Sequence, residues 1–240
     1  MTALFISDLH LTAERPAVTE ALLRFLRLVP DTGDSLYVMG DLFEYWAGDD
    51  DLDAPAHRQV VDALGACATR GIALYWIAGN RDFLAGSGFV TAARMTPLAE
   101  PFTFDLHGER TVLLHGDTLC TDDRAYQAFR SEVRTDRWKR EFLARPPAQR
   151  RAEIEALRAR SESEKATKAL AIMDVNPEAV SRLFADSGAL RMIHGHTHRP
   201  AHHHYAMFGR QMCRWVLPAW DDAPGYLRVD GEGAELVDFD

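Results

Sequence analysis

Five short segments place residues able to hold a cation or a phosphate directly after apolar runs. They are Asp8-Leu9-His10, Gly40-Asp41, Gly79-Asn80, His115-Gly116-Asp117 and His196-Thr197-His198. An Asp and a His one residue apart at a strand end are expected to share a side, because side chains alternate with a period of two. His196 and His198 repeat the device. Carboxylate, amide and imidazole donors without thiolate suit borderline-to-hard divalent ions such as manganese, iron or zinc better than copper(I) or an iron–sulfur cluster. The donors Asp8, His10, Asp41, Asn80, His115, His196 and His198 are too many for one tetrahedral ion, which predicts two ions. Asp41, central in chain order and carrying two oxygens, is the natural bridge.

The elements that must position these groups follow from the apolar pattern. Ala3 to Ser7, Ser35 to Met39, Ile72 to Ile77, Thr111 to Leu114 and Leu190 to Ile193 read as buried strands, each ending at one of the five segments. Helical stretches lie between the early ones: Pro16 suits a first turn before a stripe of Leu22, Leu23, Leu26 and Val29, and a helix near 54–70 stops at Gly71. Strand–helix–strand alternation predicts an α/β fold with parallel strands, whose carboxyl ends line one crevice. From about Asp122 to Leu170 the chain instead reads helical and basic, divided at Pro146-Pro147. Asn176-Pro177 has the form of a helix cap and first position, and the short strands that finish the chain suggest a more antiparallel second half.

The series Asp8-x-His10, Gly40-Asp41, Gly79-Asn80, His115-Gly116-Asp117 and Gly195-His196-x-His198 resembles the calcineurin-like metallophosphoesterases over most of the chain. That resemblance implies a sandwich of two β-sheets flanked by helices, with a two-metal site at the strand ends. Asp8, His10, Asp41 and His198 would hold one ion; Asp41, Asn80, His115 and His196 would hold the other. Many members follow Gly-Asn with a His, whereas this chain has Arg81, which cannot donate a proton at useful pH but whose planar fork suits phosphate oxygens. Gly79-Asn80-Arg81-Asp82, Gly40-Asp41-Leu42-Phe43-Glu44, Ile172-Met173-Asp174-Val175-Asn176 and His194 through Pro200 are similar to the UDP-2,3-diacylglucosamine hydrolases of lipid A biosynthesis, nearly end to end.

By that likeness the expected reaction is hydrolysis of the pyrophosphate of UDP-2,3-diacylglucosamine to UMP and 2,3-diacylglucosamine 1-phosphate. Metal-bound hydroxide would attack the nucleoside-proximal phosphorus, with Mn2+ the expected ion. Asn80, Arg81 and His196 would be catalytic, and Asn80, Arg81, Asp123, Ser161, Lys165, Lys168 and His196 would contact substrate. Residues 1–122 and 171–240 would form the metallophosphoesterase core, and 123–170 a helical cap inserted into it.

Charge supports such a cap. The chain carries a net charge of −9, which argues against general nucleic-acid binding, yet residues 124–168 hold 13 Lys and Arg against 7 Asp and Glu. Cations there stand beside Tyr126, Phe129, Trp138, Phe142, Leu143, Ile154 and Leu157, a combination suited to a pyrophosphate with two acyl chains, although the same apolar groups can simply pack the helices down. No apolar run approaches the length of a spanning helix and no basic leader opens the chain. The expected location is therefore cytoplasmic, with peripheral association at the inner membrane through the basic segment and no obligate protein partner.

Other features read as structural. Cys67, Cys120 and Cys213 are expected to be buried thiols, His202, His203 and His204 a surface hairpin, and His194 a buried histidine. Asp82 and Asp117 are expected to orient ligands, and Trp46 and Trp220 to be pocket wall or core.

Overall fold

The computed structural model describes residues 1–165, 174–221 and 223–239, with 160–165 described by their backbone alone. Five elements open the chain: β1 (Ala3–Ile6), α1 (Pro16–Thr32), β2 (Ser35–Val38), α2 (Pro55–Thr69) and β3 (Ala73–Trp76). The three strands pair in parallel, and β4 (Thr96–Pro97) extends them beyond β3. On the other side of β1 the antiparallel β10 (Gly225–Val229) and β11 (Ala234–Asp238) complete a six-stranded sheet. The second sheet has five strands: β5 (Phe102–Leu106), β6 (Glu109–Leu113), β7 (Arg191–His194), β9 (Arg210–Val216) and β8 (Ala201–Met207), in that spatial order. Its central strands β6, β7 and β9 are parallel, and both edges are antiparallel.

Period-two alternation builds the layers. Ala3 and Phe5 of β1 face inward with Tyr37, Leu113, Ile193 and Trp215, so the two sheets share a core. Leu4 and Ile6 face the other way, onto Leu22, Phe25 and Leu26 of α1 and Val61 and Leu64 of α2. Outside the second sheet, Val112 and Met192 pack on Val180 and Phe184 of α7 (Pro177–Ser187). Asn176 caps α7 by accepting from the N–H groups of Glu178 and Ala179, with Pro177 at the first position, as the sequence predicts.

After the short α3 (Ser87–Ala92), the residues described between β6 and α7 include the helices α4 (Arg124–Val133), α5 (Asp136–Leu143) and α6 (Pro147–Lys165). Asp123 and Thr135 cap α4 and α5, and Pro147 opens α6, so the Pro146-Pro147 division is a real helix boundary. Phe142 is fully buried and stacks on Trp138, both against the core cluster beneath α1 and α2. No helix among the described residues is long and apolar enough to cross a membrane.

Two expectations need correction. The five polar segments do not line the edge of one sheet: three follow β1, β2 and β3, and two follow β6 and β7 across the sandwich. Cys67 and Cys120 are buried, but Cys213 is only half-buried, because it sits on β9 opposite the exposed His204 of edge strand β8.

Candidate metal centre

Each candidate ligand lies just past its strand, in a loop whose backbone no longer alternates. Asp8, His10, Asp41, His196 and His198 all have left-handed φ, between 49° and 68°. Their shared orientation comes from these turns rather than from the strand period, which corrects the geometric expectation. Such conformations are costly for residues with a side chain and persist where neighbours enforce them. Here the loops brace one another: Asp8 N–H donates to Gly40 C=O at 3.1 Å, His10 N–H to Asp41 C=O at 3.0 Å, and His196 N–H to Asp8 Oδ2 at 2.8 Å. The glycine preceding a ligand allows this approach. A Cβ on Gly79 would lie 2.1 Å from Asp41 Oδ1, and one on Gly195 2.1 Å from Asp8 Oδ2.

Two groups of donor atoms result. Asp8, His10 and His198 form one, and Asp8, Asp41 and His115 the other. Asp41 Oδ2 lies between the halves, 3.9 Å from His10 Nε2 and 3.7 Å from His115 Nε2, while its Oδ1 accepts from Arg81 N–H at 2.8 Å. Asn80 Oδ1 is 2.9 Å from His115 Nε2, and the ring of His196 packs against that of His115 at 5.1 Å. All seven predicted donors are thus brought together, with Asn80 and His196 outside the two tightest groups.

The donor set fits divalent cations. Nδ1 of His115 donates to Met39 C=O at 3.0 Å, and Nδ1 of His10 and of His198 face Glu44 and Asp221 carboxylates at 3.4 Å each. Hydrogens on Nδ1 leave lone pairs on Nε2. Yet Nε2 of His10 and of His198 stand 3.1 Å apart, and Nε2 of His115 faces the Asn80 amide oxygen. Asp8 Oδ1 is fully buried without a hydrogen-bond partner. Acceptors aimed at acceptors are stable only around positive charge. The surrounding carboxylates favour positive charge there: burial works against charge on His115, but Asp41, Asp8, Asp117 and Glu100 push its pKa up to about 9. Burial likewise opposes the Asp8 carboxylate, yet His198, His115 and His10 hold it well below its ordinary range.

The groups orienting the histidines differ from those expected. Neither Asp82 nor Asp117 touches a ligand ring. Asp82, fully buried, accepts from Leu42 N–H at 2.7 Å and Gly79 N–H at 2.8 Å and so ties the Asp41 loop to the Asn80 loop. Asp117 accepts from Tyr126 Oη and from Arg130 Nε, and therefore faces α4. Glu44 and Asp221 take the expected roles. Glu44 sits in the Gly-Asp-x-x-Glu run that sequence alone displays, but Asp221 carries no local signal, being joined to His198 only by folding. Glu44 also faces Arg15, Arg81 and Arg158; burial opposes its charge, but His10, Arg81 and Arg158 favour it and lower its pKa to about 2.

A cavity of about 1150 Å³ opens from this centre. Its polar lining includes Asp41, Asn80, Arg81, His196 and His198, together with Arg15 and Arg158. Its apolar lining includes Phe83, Phe129, Trp138, Phe142, Ile154 and Leu157. Asp123 lines it too, as the residue capping α4 through Tyr126 N–H. Sequence reasoning missed Arg158 and assigned Tyr126 only to a greasy surface; the Arg158 guanidinium reaches Glu44 Oε1 at 2.6 Å. Lys168 and the side chains of Ser161 and Lys165 lie outside the described residues.

Other histidines lie apart from this cluster. His194 is fully buried, and its Nε2 accepts from Arg214 Nη1 at 2.9 Å. His202 and His204 are exposed on β8, with His202 stacked on Trp215. Trp46 is both buried and part of the cavity wall, whereas Trp220 is core, its Nε1 donating to Gly225 C=O.

Comparison with known proteins places this geometry. The chain is 51% identical over 237 residues to a UDP-2,3-diacylglucosamine hydrolase of Aromatoleum aromaticum (strain DSM 19018 / LMG 30748 / EbN1), covering 99% of this chain and 96% of that one. It is 45% identical to the protein of the same name from Serratia proteamaculans (strain 568), covering 100% and 99%. Among solved structures, an archaeal phosphodiesterase superposes with a TM-score of 0.50 at 9% identity, covering 99% of each chain, a likeness of fold alone. A family model for calcineurin-like phosphoesterases matches residues 1–200, which takes in all seven candidate donors and the strands β1, β2, β3, β6 and β7 that precede them. With that match and those relatives, the chain belongs to the calcineurin-like phosphoesterase family.

Proposed function

We propose that this protein hydrolyses the pyrophosphate bond of UDP-2,3-diacylglucosamine, releasing UMP and 2,3-diacylglucosamine 1-phosphate in lipid A biosynthesis. The observation that carries this reading is the single cavity joining the carboxylate–histidine cluster, through Arg81 and Arg158, to an apolar wall built by α4, α5 and α6. A generic phosphodiester needs the first part and not the last. The substrate class also stands in the names of the relatives.

In this reading Asp8, His10, Asp41 and His198 hold one divalent ion, and Asp41, Asn80, His115 and His196 the other, with Mn2+ the preferred metal. Two such ions, when bound, supply Lewis acidity at the phosphorus and lower the pKa of a water. The chain's own residues do the rest. Glu44 and Asp221 fix the rings of His10 and His198, and Met39 C=O fixes that of His115, so each keeps Nε2 toward the centre. Arg81, whose backbone N–H is anchored on Asp41, presents a two-pronged donor to the pyrophosphate oxygens. Asn80 and His196 add donors where charge grows during displacement at the nucleoside-proximal phosphorus. Asp123 and the Ser161, Lys165 and Lys168 side chains contact the sugar and phosphates, and the apolar wall receives acyl chain. Residues 1–122 and 171–240 act as the catalytic core and 123–170 as the substrate-holding cap.

The +6 balance of residues 124–168, together with Phe129 and Leu143 exposed on the cap helices, supports peripheral contact with an anionic inner-membrane surface from the cytoplasmic side. The direct test is UMP release from UDP-2,3-diacylglucosamine, before and after chelation and with Mn2+ restored. Metal-dependent release is expected; turnover of small phosphodiesters with none of the lipid substrate would reject the substrate class.

A further inference from the structure

Helix α4 reaches the metal centre with Arg130 and, one turn on at its C-cap, Arg134. Arg130 bridges two carboxylates, donating from Nε to Asp117 Oδ2 at 2.7 Å and from Nη2 to Glu100 Oε2 at 3.0 Å. Glu100, through its other oxygen, accepts the backbone N–H of His115 at 2.7 Å. Arg134 donates from Nη2 to the carbonyl of Gly79 at 2.8 Å, on the peptide bond that leads into Asn80, and its guanidinium lies 4.9 Å over the ring of Phe83. The arginines therefore grip the two loops that carry His115 and Asn80. No comparable bond is present from α4 to the loops of Asp8, His10 or His198 among the described residues. The same helix lends Ala125, Tyr126 and Phe129 to the cavity, and Phe83 belongs to its apolar wall.

We propose that α4 is a strut coupling the cap to one half of the metal centre, with Arg130 and Arg134 as positioning residues that set the geometry of the Asn80–His115 subsite. Filling the cavity presses on Tyr126, Phe129 and Phe83, and the helix transmits that to the loops it holds. Because such coupling is reciprocal, acyl-sugar binding and ion binding at this subsite strengthen each other by the same factor. The inference extends the proposed function, since it takes the cavity to hold an acylated sugar phosphate.

The experiment is calorimetric titration of Mn2+ into the chelator-stripped full chain, with and without 2,3-diacylglucosamine 1-phosphate, the product of the proposed reaction. Wild type is expected to bind two ions, the weaker tightened about fivefold or more by the product, within the usual range of coupling. Arg134→Met, which leaves an unbranched side chain of helix-compatible shape and removes the donor, is expected to weaken one ion about tenfold or more, leave the other within about twofold, and erase the product effect. Arg134→Lys, which retains a donor within reach of the Gly79 carbonyl, is expected to restore most of both. Arg130→Lys, unable to bridge two carboxylates with one fork, is expected to behave like Arg134→Met. Melting temperatures in chelator separate this from loss of fold: a variant that melts far below wild type is set aside in favour of the comparison between the two lysine variants. Equal weakening of both ions, unchanged ion affinities, or a product effect that survives in Arg130→Lys would overturn the strut. If the product does not bind wild type at all, the substrate reading fails and with it the coupling, while the ion affinities of the variants still decide whether the arginines position the subsite.

Discussion

Asp41→Asn tests the bridging site with the smallest possible change. Asp41 is 2% exposed and sits at φ 53°, a conformation asparagine tolerates better than most residues. The amide oxygen can keep the 2.8 Å bond from Arg81 N–H, so the loop keeps its form. Only the other atom changes: a carboxylate oxygen 3.9 Å from His10 Nε2 and 3.7 Å from His115 Nε2 becomes an amide nitrogen whose hydrogens point where lone pairs pointed. In the metal-free protein this relieves like-charge repulsion with Asp8 and Asp82 but removes a negative charge that favours protonated His115 and His10, so the melting temperature should stay near that of wild type. With metal the difference appears. An ion at a hundred times its Kd stabilises the folded state by about 2.7 kcal/mol, so two contribute about 5 kcal/mol. At about 2.1 cal/mol/K per residue, unfolding 240 residues carries about 0.5 kcal/mol/K, so two ions raise the melting temperature by about 10 °C. Melting curves recorded in chelator and in excess Mn2+ should show that increment in wild type and little of it in Asp41→Asn, with UMP release lost in parallel. An Asp41→Asn protein that keeps an increment near 10 °C and turnover within a few-fold of wild type would refute the bridge.

Three further outcomes are expected. Arg81→Ala should lower kcat far more than metal content measured by elemental analysis, and Arg81→Lys should not recover it, because a point charge does not reproduce two parallel donors. Leu157→Ala, on the half-buried cavity wall, should raise KM for the diacylated substrate about fivefold, as about 1 kcal/mol of methylene contact is lost, while KM for a small phosphodiester stays unchanged in the same kinetic assay. His194→Ala should leave the buried Arg214 with an unpaired donor beyond its bond to Tyr205, costing about 2 kcal/mol and about 4 °C in a thermal melt, and His194→Gln should cost less.

Much of the architecture was legible because burial imposes periodicity. β1, β2, β3, β6 and β7 announced themselves as apolar runs ending in polar residues, and Pro16, Pro147 and Asn176-Pro177 marked helix starts by local chemistry that needs no tertiary partner. The donor set was legible for a related reason: a ligand must follow a strand and a glycine must precede it where loops touch, so Gly40-Asp41, Gly79-Asn80 and Gly195-His196 read as a pattern. Asp82 and Asp117 were read as ligand-orienting because of their position beside ligands, but neighbours in sequence need not be neighbours in space. Asp82 turned to backbone N–H groups and Asp117 to a helix.

By itself, then, the chain determined its elements, the acidic and imidazole side chains that cluster past its strands and the basic, apolar character of residues 124–168, since each depends on residues within a few positions of one another. Only the tertiary structure decided that the donors converge across two sheets rather than along one, that left-handed turns aim them, that Glu44 and Asp221 orient His10 and His198, and that Arg130, Arg134 and Arg158 bring the cap helices onto the site. Those choices join residues as distant in the chain as Asp8 and His198. Contacts of that range are set by how whole layers pack, which no local spacing encodes.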